Sequence, residues 1–220
     1  MRNTKYIQVE KTARYETYGI LSPQTQYFWF VLHGSKMRSE QMIYKFSDFD
    51  PATHFVVAPE GLSRFYEKGG FDGDVVATWM TSRDRLDEIA DFSKYLTKLY
   101  NLYSSQVKSD CKKIILGFSQ GGTSAYRWLH HSAVKAHYMI PYSCWVPEDI
   151  DLTESQTNLG EMATYYTVGL QDQFLKDELL DKVRHNIEKN KLDLKFEMYE
   201  GDHRVNRNQL KNLFEKYIAI

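Results

Sequence analysis

Cysteine is scarce in this chain of 220 residues, which contains only Cys111 and Cys144. Two cysteines cannot build the disulfide framework of a small secreted scaffold, and we expect both to be buried, reduced thiols. No apolar run approaches the length of about 18 residues that a membrane-spanning helix needs. A signal peptide has an apolar segment after its polar start, and no such segment follows Met1 to Lys5. These absences predict a cytoplasmic protein that does not insert stably into a membrane.

An excess of charge of one sign is also missing. The chain has 28 basic and 29 acidic residues and no basic run, so it lacks the electrostatic footprint that is typical of a nucleic-acid binder. Repeats, low-complexity tracts and linkers rich in proline, glycine or serine are absent too, which favours a single domain over residues 1–220. Hydrophobic residues make up 42% of the chain and aromatic residues 15%. That composition is sufficient for one sizeable buried core.

Short apolar segments typical of strands alternate with longer amphipathic segments typical of helices. The predicted strands are 6–10, 13–20, 27–32, 55–58, 114–116, 136–140, 163–168 and 194–199, and the first two are expected to pair with each other. The predicted helices are 39–46, 84–103, 121–131, 175–189 and 206–217. This alternation predicts an α/β fold, with a mostly parallel central sheet and helices on both faces. Ligands of such sheets bind at the carboxyl ends of the strands.

The segment Gly117-Phe118-Ser119-Gln120-Gly121 carries a G-x-S-x-G pattern between a predicted strand and a predicted helix. In a nucleophile elbow, this sharp turn lifts the serine hydroxyl clear of the sheet, and the small flanking residues make room for the neighbouring backbone. The helix that follows supplies backbone N–H groups and a partial positive charge. We therefore interpret Ser119 as a nucleophile. The alternative is a helix that simply begins with small residues.

A serine nucleophile needs a histidine as base and an acid that orients the base. In a hydrolase built on such an elbow, the acid and then the histidine follow the serine along the chain. We interpret His203, in the loop after the last predicted strand, as the base; the other downstream histidines lie on helices or at the amino end of a strand (His130, His131, His137 and His185). We interpret Asp172, the first acid after strand 163–168, as the orienting carboxylate; its rivals are Asp177, Glu178 and Asp202. An exposed loop histidine and a helix-capping aspartate are the alternatives.

An oxyanion hole requires two backbone N–H groups near the nucleophile. We assign one to Gln120, which follows Ser119, and the other to Ser35, in the loop after strand 27–32. His33 precedes the nucleophile in the chain, and we interpret it as a structural histidine of that loop.

Two further segments are expected to border the substrate. Residues 59–83 follow strand 55–58 and are rich in aromatic side chains, of which Trp79 is the leading candidate for contact with the acyl group. A packed surface loop is an equally weighted alternative. Residues 142–159 are expected to form another wall of an open cleft.

Four motifs together resemble the phospholipase/carboxylesterase family of α/β-hydrolases, the group that includes acyl-protein thioesterases. They are Leu32-His33-Gly34, Gly117-Phe118-Ser119-Gln120-Gly121-Gly122, Gly169-x-x-Asp172 and Gly201-x-His203. The resemblance spans about residues 27–215. It implies a small α/β-hydrolase that has no large cap domain and needs no cofactor. We also expect no metal site, because Cys111, Cys144, His130 and His131 lack zinc-site spacing. The resemblance also implies that Ser119, His203 and Asp172 cleave small-molecule carboxylic esters or thioesters, with Ser35 and Gln120 forming the oxyanion hole.

One loop departs from the family pattern. Thioesterase-type members continue His-Gly with Leu-Gly-Asp, whereas Ser35-Lys36-Met37 stands in this chain. We therefore favour a carboxylesterase that prefers short to medium acyl chains and works through an acyl-enzyme. The alternatives are an acyl-protein thioesterase or lysophospholipase, and a non-catalytic binding module on the same fold.

Overall fold

The computed structural model describes residues 2–152, 159 and 161–219, which form nine strands and five α-helices. The strands are β1 Tyr15–Tyr18, β2 Tyr27–Leu32, β3 His54–Pro59, β4 Ser63–Tyr66, β5 Val75–Thr78, β6 Lys112–Phe118, β7 Tyr138–Tyr142, β8 Ala163–Gly169 and β9 Leu194–Tyr199. The helices are α1 Ser39–Ile43, continued by the 3-10 helix Tyr44–Phe46, then α2 Arg85–Ser104, α3 Gln120–His130, α4 Asp177–Lys189 and α5 Arg207–Tyr217. None of the described helices is both long and apolar enough to cross a membrane.

Seven of the described strands form one sheet in the order β1-β3-β2-β6-β7-β8-β9. β1 pairs antiparallel with β3, and every other pairing in this sheet is parallel. The predicted α/β fold with a mostly parallel sheet is therefore confirmed. Because β6, β8 and β9 run in the same direction, the loops that follow them meet at one edge of the sheet.

The core lies on both faces of the sheet, as the continuously apolar strands predict. Along β2, Phe28 and Phe30 contact one layer while Trp29 and Val31 contact the other, because successive side chains point to opposite faces. The first layer contains side chains of α2, α3 and α4 (Phe92, Leu96, Trp128, Leu129, Leu180 and Val183). The second contains side chains of α1, its 3-10 continuation and α5 (Met42, Phe46, Leu210 and Leu213).

The predicted pairing of segments 6–10 and 13–20 is wrong. Residues 6–10 form no strand, and β1 pairs instead with β3, where Tyr15 faces Pro59. A separate two-stranded ribbon has little stability by itself, whereas the edge of β3 offers backbone partners that already belong to the sheet. Segment 6–10 lies near the start of α2, where the Tyr6 hydroxyl donates to Asp84 Oδ1 over 3.0 Å.

Residues 59–83 contain a hairpin that the sequence analysis did not identify. β4 and β5 pair antiparallel, with Ser63 opposite Thr78. Three glycines in the turn, Gly69, Gly70 and Gly73, have positive φ angles, a conformation that glycine adopts at little cost. The base of the hairpin is tied to the loop after β2, since the Lys36 N–H donates to the Ala77 carbonyl over 3.0 Å.

Candidate active site

Ser119 occupies a strained turn between β6 and α3. Its backbone angles are φ 52° and ψ −123°, a region that costs a non-glycine residue about 1–3 kcal/mol. The Ser119 N–H donates to the Tyr142 carbonyl over 2.9 Å, which fixes the turn to the end of β7. Ser119 directly follows the last residue of β6, so it lies at the carboxyl edge of the sheet. Its side chain is half-buried.

The glycines of the motif are required by close contacts with neighbouring atoms. A Cβ atom at Gly117 would lie 2.5 Å from the Cα of Gly122, and one at Gly121 would lie 2.4 Å from the His33 carbonyl oxygen. A Cβ atom at Gly122 would lie 2.5 Å from the Cβ of Cys144. The turn therefore excludes larger side chains at all three positions.

The structure brings together the three side chains that the sequence analysis selected. His203 Nε2 lies 3.0 Å from Ser119 Oγ, and His203 Nδ1 lies 2.7 Å from Asp172 Oδ2. The Asp172 side chain is fully buried, and the His203 side chain is 12% exposed. The three residues follow β6, β8 and β9, and they form one continuous hydrogen-bonded chain.

Asp172 is held as an ionised carboxylate. Burial acts to raise its pKa, but hydrogen bonds from His203 and from the backbone outweigh it, so the pKa lies below the ordinary value. The backbone donors are the N–H groups of Phe174, at 2.8 Å, and Leu175, at 3.0 Å, both to Oδ1. An ionised Oδ2 accepts the Nδ1–H of His203, which leaves Nε2 free to accept the serine proton.

The rival candidates lie elsewhere. Asp177 and Glu178 begin α4 and are exposed, and Asp202 is paired with Arg204 over 3.3 Å. The other downstream histidines are found at the end of α3, before β7 and on α4, away from the carboxyl ends of β6, β8 and β9 (His130, His131, His137 and His185).

Of the two expected oxyanion donors, Gln120 directly follows Ser119, and Ser35 belongs to the loop after β2, whose His33 carbonyl lies close to Gly121. Gln120 is the first residue of α3, so its N–H has no acceptor within the helix. Ser35 is exposed in the loop after β2. His33 holds that loop: its Nδ1–H donates to the Gly34 carbonyl over 2.7 Å, and its Nε2 accepts the Gly61 N–H over 2.9 Å. Burial lowers the pKa of His33 and outweighs the opposing Gly34 hydrogen bond, so the ring is neutral.

The side chain of Gln120 has a role that the sequence analysis missed. Its Oε1 accepts hydrogen bonds from Thr78 Oγ1, at 2.7 Å, and from the Trp79 N–H, at 3.0 Å. Its Nε2 donates to the Met80 carbonyl over 2.8 Å. The amide thus ties the elbow to the segment that follows the hairpin. The position of residues 59–83 after a strand was the only sequence signal for this contact.

Trp79 packs against His33 in the loop after β2. It is 1% exposed, and its Nε1–H donates to the His33 carbonyl over 2.8 Å. It also borders a groove of about 960 Å³ between the N-terminal arm, residues 6–15, and α2. Contact between Trp79 and an acyl group stays a prediction. The predicted wall at residues 142–159 is described only in part, because residues 153–158 lie outside the described residues.

Solved structures with the same fold include two hydrolases. Esterase PE8 is 16% identical, with a TM-score of 0.68, and the match covers 96% of this chain and 100% of that chain. Acyl-protein thioesterase 2 of Zea mays is 15% identical, with a TM-score of 0.71, and the match covers 94% of this chain and 99% of that chain. At such identities the similarity establishes the fold alone. A comparison with curated protein sequences gives no significant match.

A family model gives more specific information than these structures. The model described as phospholipase/carboxylesterase matches residues 51–219, which include the elbow and the segments that carry Asp172 and His203. The match extends over far more than half of the chain and confirms the resemblance inferred from the four motifs. The chain belongs to the phospholipase/carboxylesterase family.

Proposed function

We propose that this protein is a serine esterase that cleaves small-molecule carboxylic esters of short to medium acyl length. The observation that carries the proposal is the hydrogen-bonded chain from Ser119 Oγ through His203 to Asp172, starting at a strained turn. Strain at a non-glycine residue persists where the surrounding structure enforces it, and such residues cluster at active sites. The family assignment supports a hydrolase of esters or thioesters.

The reaction would begin when the Ser119 oxygen attacks the ester carbonyl and its proton passes to His203 Nε2. The N–H groups of Gln120 and Ser35 would hold the oxyanion of the tetrahedral intermediate. His203 would then return the proton to the departing alcohol, leaving an acyl group on Ser119. Water attacks this acyl-enzyme in the same way, giving up a proton to His203, and the carboxylic acid leaves as Ser119 recovers its proton.

Asp172 would orient the base and stabilise the imidazolium that forms at each attack. Its ionised Oδ2 accepts the Nδ1–H, which keeps the proton off Nε2 in the resting state. His203 is largely buried, so water competes poorly for this hydrogen bond.

Labelling with a fluorophosphonate probe tests the nucleophile directly. Wild-type protein should form a covalent adduct on Ser119, located by mass spectrometry, and Ser119→Ala should form none. Ser35→Ala is the matched control, because it removes an exposed hydroxyl and leaves the backbone N–H in place. A folded wild-type protein that fails to label would support the non-catalytic binding module instead.

Cleavage of thioesters is a second candidate, since one structural neighbour is an acyl-protein thioesterase. A matched pair of butyrate ester and butyrate thioester separates the two activities. We expect a higher kcat/KM for the ester, because the loop Ser35-Lys36-Met37 departs from the thioesterase-type pattern. A higher value for the thioester would assign the protein to that activity.

A further inference from the structure

A second pocket lies behind the loop that carries His203. Its volume is about 580 Å³, and its charged lining consists of Lys45, Asp48, Asp202, Arg204 and Arg207. Asp202 and Arg204 are the immediate neighbours of His203, yet the His203 ring contacts Ser119 and does not line this pocket. We propose that this pocket binds an anion of the phosphate class, separately from the ester site.

The charges that line the pocket do not balance. Arg207 pairs with Asp48, and Arg204 Nε lies 3.3 Å from Asp202 Oδ2. Within the part of the chain that the structure describes, the Lys45 side chain has neither an ion pair nor a hydrogen bond. Three cations thus face two carboxylates, and one positive charge remains uncompensated.

Lys45 lies near other positive charges and is only partly accessible to solvent. Its side chain is half-buried. Burial lowers its pKa first, and the proximity of Arg204 and Arg207 lowers it further, while Asp202 opposes the shift. A cation in this position is stabilised by a counter-charge, which a bound anion would supply.

The pocket also borders backbone N–H groups that can donate hydrogen bonds to an anion. The start of α5 borders the pocket, and the backbone N–H groups of Arg207 and Asn208 have no acceptor within the helix. The next N–H, of Gln209, is already bound by the Asn206 side chain over 3.1 Å. Arg207 Nε is buried and has no hydrogen-bond partner among the described residues.

These features favour phosphate over a monovalent anion. Two backbone N–H groups, the Lys45 ammonium and the outer nitrogens of Arg204 together match the several acceptor oxygens of phosphate. The Arg204–Asp202 pair is largely exposed and therefore weak in water, so Arg204 is free to turn towards a bound dianion. Chloride would use only part of this set.

Calorimetric titration of the whole chain with inorganic phosphate tests the proposal without any activity measurement. We expect saturable binding to wild type and binding at least about tenfold weaker to Lys45→Gln, because a charge-assisted contact is lost. Lys68→Gln, which removes an exposed lysine of the hairpin turn, should bind as wild type does. Absence of saturable binding, or equal weakening in both variants, would overturn the proposal.

Two further titrations identify the source and the class of the anion. Tighter binding of glycerol 3-phosphate than of inorganic phosphate would assign the pocket to phosphomonoesters, and the reverse order would assign it to the free anion. Chloride in the same concentration range should give no comparable binding, and equal affinity for chloride would count against a phosphate site. Because binding is measured directly, these results stand whether or not Ser119 proves to be a nucleophile.

Discussion

At the scale of single residues, Ser119 is the position on which the proposed chemistry depends. Ser119→Ala removes one hydroxyl from a half-buried side chain, so we expect the fold to persist. We expect kcat for p-nitrophenyl butyrate to fall by about 10⁶, as it does when a triad nucleophile is removed from a protease. Steady-state hydrolysis of p-nitrophenyl butyrate measures this loss, and circular dichroism checks that the variant is folded. Retention of more than about one hundredth of the activity would assign the nucleophile to another residue.

We expect Asp172 to support catalysis through its negative charge and through the oxygen that accepts the His203 Nδ1–H. Asp172→Asn replaces an acceptor of the His203 Nδ1–H with an amide that can present a donor, which favours the wrong tautomer of the imidazole. By the protease precedent, kcat should fall by about 10⁴. Asp177→Asn, an exposed change at the start of α4, should keep near wild-type activity. If Asp177→Asn lost the activity instead, the orienting acid would be Asp177.

Gln120 should act as a positioning residue through its side chain, separately from its backbone N–H. Gln120→Glu keeps an acceptor for Thr78 and Trp79 but turns a carboxylate oxygen towards the Met80 carbonyl, where an N–H now donates. We expect a loss of about 1–3 kcal/mol of stability and a fall in kcat larger than any change in KM.

The matched control for this change is Gln106→Glu. Gln106 is exposed and donates to the Leu102 carbonyl at the end of α2, away from the elbow. Denaturant unfolding and steady-state kinetics on both variants separate the two positions. Equal effects on the two variants would mean that the Gln120 amide does not position the elbow.

The sequence could predict which residues meet at the site but not how each is held. Ser119, Asp172 and His203 were identifiable because each follows a strand, and parallel strands end at one edge. The partners of the Gln120 side chain lie about 40 residues earlier in the chain. No local pattern links them to the elbow, because the contact depends on how the hairpin folds back on the sheet.

At the scale of elements, β3 begins at a histidine whose environment makes stability depend on pH. His54 Nδ1 accepts the Trp29 Nε1–H over 3.0 Å, and the ring packs against Tyr27, Phe49 and Phe214. Burial lowers its pKa to about 4. The unfolded chain, with a histidine pKa of about 6.5, therefore takes up the proton first as the pH falls. The stability contributed by neutral His54 is complete above pH about 6.5 and is lost as the pH falls towards 4.

This linkage predicts a loss of about 2 kcal/mol of unfolding free energy between pH 7.5 and pH 5 from His54 alone. Urea unfolding at the two pH values measures the total loss, to which other histidines with lowered pKa, such as His137, also contribute. His54→Gln should reduce the difference by that amount, whereas His137→Gln should reduce it less. An unchanged difference in His54→Gln would contradict the assignment.

The apolar patterns predicted the secondary structure correctly where the side chains are completely buried and misled where they are exposed. β2 was predicted without error because both of its faces are apolar. Segment 6–10 instead alternates apolar and polar residues, and its apolar residues Ile7 and Val9 are largely exposed. No surface among the described residues covers them. Periodicity reports which side chains can be buried, whereas the arrangement of the neighbouring elements decides which of them are.

At the scale of the whole molecule, the hairpin, the loop after β2 and the elbow form one connected unit. Gln120 binds the segment after β5, Trp79 binds the His33 carbonyl, and Lys36 binds β5. The surfaces around an acyl group on Ser119 would therefore be connected to one another by hydrogen bonds. We expect a cleft of limited depth, since the loop Ser35-Lys36-Met37 places an exposed lysine where thioesterase-type members have none.

The resulting prediction concerns acyl length. Each methylene buried in an apolar cleft contributes up to about 0.8 kcal/mol, or roughly fourfold in kcat/KM. Values for p-nitrophenyl esters should therefore rise from acetate to butyrate, level off by octanoate and not rise further for palmitate, all measured below micelle-forming concentrations. A steady rise through palmitate would contradict the shallow cleft and favour a lysophospholipase or an acyl-protein thioesterase.

Trp79→Phe, measured on the same ester series, tests whether Trp79 contacts the acyl chain or supports the loop after β2. If the indole lines the acyl cleft, the loss is greatest for the best acyl length and small for acetate. Trp79 is buried against the loop after β2, which favours a similar loss on every ester. The His33 carbonyl would lose its donor, and the loop that carries Ser35 would shift for all substrates alike. We expect this uniform loss, and a selective one would place Trp79 in the acyl pocket.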